Sequence, residues 1–295
     1  MSEDRRLKGI SLAAAGSVLW GASGIAGQYI LVERNISPEW LTCTRLICAG
    51  TILLLLDRLL FKQNIFSIWR DRMDCSQLLA FALIGMLGTQ YTYFAAIKFS
   101  NAAVATILQY LMPVLIVFWL CLAERRLPYG REMLCAGFAV LGTILLVTGG
   151  HWGQLSISTE ALYWGLLSAV CASFYTVQPV RMIARWRASL VVGWGMLAGG
   201  IGFLPFAHPW SYAVSWDAGL VTSYAFVILL GTVFSFWAFL ASVKYIRPSE
   251  TSVVGALEPL SSILFSFLFF HMAFGTVELA GMALIILAVY VVSRP

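Results

Sequence analysis

Apolar residues fall along this chain in ten long, nearly unbroken runs, and most charged residues are confined to the short stretches between them. A helix rising 1.5 Å per residue needs about 20 mostly apolar residues to cross a hydrocarbon layer of about 30 Å. Runs near that length occur at Leu7–Leu31, Trp40–Phe61, Leu78–Ile97, Ala102–Ala123, Met133–Gly149, Ala161–Met182, Leu190–Phe206, Gly219–Val243, Ser249–Phe270 and Val277–Val292. They are continuously apolar, whereas the strands of a membrane barrel are shorter and alternate sides at every residue. The pattern therefore predicts an all-α, polytopic membrane protein of ten transmembrane helices. The first run is too long and too polar at its centre for a signal peptide, and no small-residue cleavage site follows it. It is kept as a permanent helix.

Composition agrees. Apolar residues make up 60% of the 295 and charged residues only 11%, where a soluble domain carries about a quarter charged. Lys and Arg are retained on the cytoplasmic side of short loops. With the N-terminus inside, 16 of the 19 basic residues fall on that side, from Arg5 and Arg6 to Arg247 and Arg294. Arg34 and Lys98 lie outside, and Arg45 lies within a span. Both termini are expected in the cytoplasm, and ten crossings preserve this charge pattern where nine or eleven would scramble it. The net charge of +5 is spread over loops beside the membrane rather than gathered on one face, so nucleic acid is not an expected partner. The six cysteines lie in or beside spans without a CxxC pair, which points to buried thiols rather than a disulfide framework or a zinc site.

The second half of the chain repeats features of the first. Gly21-Ala22-Ser23 through Gln28 parallels Cys171-Ala172-Ser173 through Gln178 at an offset of 150. Gly85, Ala95, Lys98 and Pro113 fall on Gly231, Ala241, Lys244 and Pro259 at 146, and Gly137 and Ala139 fall on Gly281 and Ala283 at 144. The domains read from this are residues 1–150 and 151–295, five helices each. Because five is odd, the second unit enters the membrane from the opposite side. Inverted repeats of this kind place a substrate site near the bilayer midplane, between halves that rock around it.

The chain resembles the drug/metabolite transporter superfamily, and within it the EamA-type ten-helix exporters. The residues that carry the resemblance are Leu19-Trp20-Gly21, Thr44-Arg45-Leu46, Met112-Pro113-Val114 running to Ala123-Glu124-Arg125, and Leu257-Glu258-Pro259-Leu260. One departure is that Phe270-His271 stands where the second repeat of such proteins usually closes its ninth helix with Gly-Glu. The resemblance implies an inner-membrane carrier exporting amino acids or related small metabolites, with many members acting as monomers.

Ionisable residues inside a span are costly and mark function by default. Two lie well away from any span end. Arg45, eight residues past Ser37, is roughly 12 Å from the outer surface. Glu258, nine residues past Ser249, is roughly 14 Å above the inner one, so their depths differ by about 4 Å. Both are expected to face a central cavity, with Arg45 offering a planar charge to a carboxylate and Glu258 pairing with it or exchanging a proton. The alternative is a structural ion pair. Their repeat partners, Trp194 and Met112, are uncharged. Pro113 and Pro259 remove backbone donors in mid-span and bend the fourth and ninth helices, either as fixed kinks or as hinges. Gln28, Gln90, Gln109 and Gln178 should point inward, toward a cavity or into interhelical hydrogen bonds. Trp20, Tyr29, Tyr91, Tyr110, Tyr175 and Trp237 are either cavity walls for an amphipathic or cationic guest or interfacial anchors.

His151, His208 and His271 all fall at predicted outer ends, and the two buried charges are of opposite sign, so no catalytic set is apparent. A channel is the alternative to a carrier, although no repeated filter element stands out. The expected partners are a small-molecule substrate, the lipid bilayer and, as one candidate coupling ion, protons. The expected state is a monomer or weak homodimer, with no cofactor and no metal.

Overall fold

A computed structural model describes residues 3–151, 156–246 and 248–292, and among these every regular element is a helix. Arg247 and Arg294, counted above with the cytoplasmic charges, lie outside the described residues. In chain order the helices are α1 (Arg5–Glu33), α2 (Pro38–Phe61), α3 (Arg72–Phe99), α4 (Ala102–Ala123), α5 (Gly130–Thr148), α6 (Thr159–Arg185), α7 (Ala188–Ala207) and α8 (Ala218–Ser242). They are followed by α9, in two pieces (Pro248–Gly255 and Leu257–Phe270), and α10 (Thr276–Val292). Seven of them, all but α2, α9 and α10, are long and apolar enough to cross a membrane by length and composition.

Short polar side chains start these helices by accepting from backbone N–H groups of the first turn. Ser37 does so for α2, Asp71 for α3, Asn101 for α4, Ser158 for α6 and Asp217 for α8. The outer surface is apolar: Leu59, Trp119, Leu122, Phe206 and Phe269 all stand exposed. The interior holds Ser17, Thr106, Ser168, Thr232, Ser235 and Ser262, all buried. That is the partition expected when the surrounding solvent is lipid and packing between helices relies on small and hydroxylated residues.

The packing pairs have an internal order. α2 lies on α7 and α5 on α10; α1 lies on α8 and α9; α6 lies on α3 and α4. Exchanging α1–α5 for α6–α10 maps this set of pairs onto itself. Irregular segments of the third, fourth, eighth and ninth helices follow the same exchange, whereas the π turn Tyr29–Glu33 that ends α1 has no π counterpart in α6. α3 and α8 each contain a wide π-helical stretch, Phe81–Leu87 and Phe226–Phe234, around the matched glycines Gly85 and Gly231. α4 breaks at Tyr110–Leu111 and α9 at Ala256, each three residues or fewer before its proline. Pro113 and Pro259 cannot donate to the carbonyls of Gln109 and Gly255, so each helix loosens on that side. The sixth run, expected to be continuous, is also interrupted, at Gln178–Pro179, where the same missing donor ends the helix before Val180–Arg185 resumes.

The closest helix approaches rest on glycine. A Cβ on Gly50 of α2 would stand 2.5 Å from the backbone nitrogen of Leu197 in α7, and one on Gly142 of α5 would stand 2.7 Å from the carbonyl oxygen of Gly281 in α10. Backbone atoms cannot move aside as a side-chain end can. Gly50→Ala should therefore cost about 1–3 kcal/mol through forced separation of α2 and α7, seen as a lower melting temperature in detergent. Gly137→Ala, with nothing within 4 Å of its added carbon, should leave that temperature unchanged or raise it, since Ala is the better helix former.

Candidate functional site

Arg45 is buried at mid-helix in α2, and its guanidinium is held by both halves of the chain. Nε donates to Thr232 Oγ1 of α8 at 2.8 Å and Nη1 donates to Gln90 Oε1 of α3 at 2.8 Å. Its carbon lies 5.0 Å from the centre of the Phe94 ring. Thr232 is fixed in turn, donating to the carbonyl of Val227 five residues back within the π stretch. The wide turn thus aims a hydroxyl at the arginine. Nη2 has no partner among the described residues, yet it is not one of the sealed, unsatisfied polar atoms. One donor edge of the planar guanidinium is thus left without a protein partner.

Glu258 opens the second piece of α9, directly after the break. α1 passes so close that a Cβ on Gly21 would stand 2.6 Å from the Glu258 carbonyl oxygen and 3.0 Å from the Ser262 nitrogen. The Glu258 carboxylate has no hydrogen-bond or ion-pair partner among the described residues, and neither oxygen is sealed from solvent. The ion pair with Arg45, one of the two arrangements expected from sequence, is not formed. Tyr93 lies within electrostatic reach of both charges and Tyr110 within reach of Glu258. The Tyr93 hydroxyl is 2.9 Å from Thr106 Oγ1, which in turn bonds Ser262 beside Glu258. The Tyr110 hydroxyl, at the break of α4, faces Gly255 at the break of α9. Phe239 lies beside the same glycine and under Trp20, whose ring centre is 4.9 Å away.

Arg45, Gln90, Glu258, Tyr110 and Trp20 are thus gathered in one region, bounded by Tyr93, Phe94, Thr232 and Phe239. The other expected residues are engaged elsewhere. Gln28 accepts from the Ala102 N–H at the start of α4, and Tyr91 donates to Glu39 at the start of α2. Tyr29 packs against Gly219 at the start of α8. Gln109 donates to Ser168 at 2.6 Å and Gln178 to the Gln77 carbonyl at 2.9 Å, both interhelical bonds. Tyr175 is stacked on Phe81. Trp237, expected as either a cavity wall or an interfacial anchor, does not line this region. It is half exposed on the outward stripe of Leu230 and Phe234, because one turn of α8 cannot present both Phe236 and Trp237 to the interior.

Sequence inspection missed the aspartates at the ends of α2 and α3. Asp57 is buried and accepts from Arg187 Nε and Nη2, the latter at 2.6 Å, and from Ser189 at 2.5 Å. That pairing holds the Arg187 guanidinium above its ordinary value. Asp74, also buried, accepts from Arg185 and from the Trp186 indole, both at 3.0 Å. At the other end of α2, Arg34 meets Asp217 at 2.5 Å. From Ser37 to Asp57 the helix rises about 30 Å, so the two clusters are separated by about the thickness of the hydrocarbon layer.

The sequence pattern of the EamA-like transporter family matches this chain twice, over residues 7–148 and 159–294. The chain belongs to the EamA-like transporter family. YicL, described as an uncharacterized inner membrane transporter of Salmonella typhimurium, is 37% identical over 97% of this chain and 95% of its own length. An uncharacterized transporter of Archaeoglobus fulgidus is 24% identical over 74% of this chain and 76% of its own. A protein crystal structure has the same fold, with a TM-score of 0.62 and 20% identity over 99% of this chain and 98% of that one. Family and helices together make this a multi-pass membrane transporter, and a transporter's partners are a small-molecule substrate and the bilayer.

The two interior charges should differ in what they do for stability. Arg45→Met strands the Gln90 and Thr232 acceptors and should cost about 1–3 kcal/mol. Glu258→Gln removes no protein contact and should leave the melting temperature in detergent unchanged or raised. Equal losses in the two variants would mean that Glu258 is held by the fold after all.

Proposed function

We propose that the protein is an inner-membrane carrier that exports amino acids or related amphipathic, aromatic metabolites by alternating access. It crosses the bilayer ten times as two inverted five-helix units, residues 1–150 and 151–295, with both termini cytoplasmic, and it acts as a monomer or weak homodimer. The observation that carries this reading is the pair of opposite interior charges, Arg45 and Glu258, each with a hydrogen-bonding edge that no described residue takes up, in surroundings that include Tyr93, Phe94 and Tyr110. A zwitterion fits that arrangement: its carboxylate meets Arg45 Nη2 and its ammonium meets Glu258, while Trp20 and Tyr110 cover an apolar or aromatic body. Glu258 exchanges a proton when the site is empty, which couples transport to protons. The exchangeable helix pairs, and the two stretches matched by one family pattern, support the division into inverted units. The printed name of the Salmonella relative supports the inner membrane.

Purified protein in liposomes loaded with unlabelled amino acid should accumulate labelled amino acid from outside by counterflow, with a rate that saturates. Arg45→Gln should lower that rate by about tenfold or more, and Glu258→Gln should flatten its pH dependence while counterflow persists. Flux that neither saturates nor responds to internal substrate would mark a channel and refute the carrier. An unchanged pH profile in Glu258→Gln would remove that residue from coupling.

A further inference from the structure

Six ion pairs join described residues, and four of them cross between the halves: Arg6–Glu250, Arg34–Asp217, Arg185–Asp74 and Arg187–Asp57. Two of these are reciprocal. Arg34, in the turn between α1 and α2, meets Asp217, the residue that caps α8. Arg185, at the turn between α6 and α7, meets Asp74 in the first turn of α3. Under the exchange that maps α1–α5 onto α6–α10 these are the same contact, made once at each end of α2. In both, an arginine of one half's first turn is tied to the start of the other half's third helix.

The two ends are not equally strong. At the Arg34 end the pair is open to solvent, with Asp217 about half exposed. At the Arg185 end the arginine is itself exposed, but Asp74 is buried, takes a second bond from Trp186, and is seconded by the buried Asp57 on Arg187 and Ser189. Arg6–Glu250 also lies at this end, because α1 runs back along α2 from their common turn. Exposed ion pairs contribute little, whereas a buried aspartate that loses its partner is strongly disfavoured.

We infer that the reciprocal pairs are the two closures of the transport cycle, and that Asp57 and Asp74 set the resting state as closed at their end. This rests on the alternating-access reading. Opening toward the Asp57 end requires Arg185 and Arg187 to leave buried carboxylates, so water must solvate two aspartates at that step. Opening at the Arg34 end breaks one solvated pair. These residues touch no substrate; they are positioning residues that fix which face the site meets.

The test uses the full chain in native membranes, with the six cysteines replaced and one cysteine introduced at position 110 by Tyr110→Cys. Its reaction with a membrane-impermeant maleimide is timed in right-side-out and in inside-out vesicles. The unaltered gates should give faster labelling from the Arg34 face. Asp57→Asn with Asp74→Asn should raise labelling from the Asp57 face on the order of tenfold and lower it from the other face. Asp217→Asn should shift the balance the opposite way, and less. Exchanging the pair, Asp74→Arg with Arg185→Asp, should restore the starting pattern in part, because the swapped arginine cannot accept from the Trp186 indole. Labelling that rises equally from both faces, or does not move, overturns the assignment of the gates. Should the double variant not reach the membrane, Arg185→Gln decides, since it leaves both aspartates in place. Simultaneous fast labelling from both faces before any gate is altered would instead defeat the carrier reading itself, so the two failures are distinguishable.

Discussion

Hydrocarbon offers no hydrogen bonds, so any backbone group or charge within it must be answered by the protein or by water the protein encloses. The irregular parts of this chain are arranged under that constraint. The breaks in α4 and α9 face one another rather than lipid, with the Tyr110 hydroxyl beside Gly255. The π stretch of α8 turns Thr232 toward Arg45, and the hydroxyl completes two hydrogen bonds there. Where helices are regular, their outer faces carry large apolar side chains and their contacts fall to glycine and serine.

Much of this is legible in the sequence, and the limits follow from particular residues. The apolar runs, the family motifs and the two interior charges stand out because charge in a long apolar run has few explanations. Asp57 escaped notice because it ends such a run beside Arg58, where a solvated interfacial charge is the ordinary expectation. Only the fold brings Arg187 and Ser189 to it, 130 and 132 residues along the chain. Pro113 and Pro259 marked which helices break, but the breaks fall up to three residues earlier, next to the Gln109 and Gly255 carbonyls that the prolines leave without a donor. Trp237 and Phe236 are neighbours in sequence and face opposite ways, a distinction that hydropathy alone does not draw.

The frame is duplicated while its chemistry is not. Position 194, which answers to Arg45, is a tryptophan whose indole donates to the Ile65 carbonyl. Position 112, which answers to Glu258, is a methionine whose carbonyl accepts from Ser173. Gln28 and Gln178 are matched in sequence, yet one accepts from the Ala102 N–H and the other donates to the Gln77 carbonyl. A shared backbone arrangement with one cation and one anion at its centre gives the interior a polarity that a strict duplicate would cancel.

The length of α1 carries a mechanical consequence. The helix runs on for 29 residues, its last turn widened to π at Tyr29–Glu33, and at roughly 40 Å it exceeds the hydrocarbon layer and requires tilt or protrusion. Arg6 near its beginning and Arg34 just past its end are both bonded to the opposite half. A stiff rod clamped at both tips cannot slide along its axis without tugging on each, so strain released at one water-facing surface is delivered to the other through a single segment of backbone.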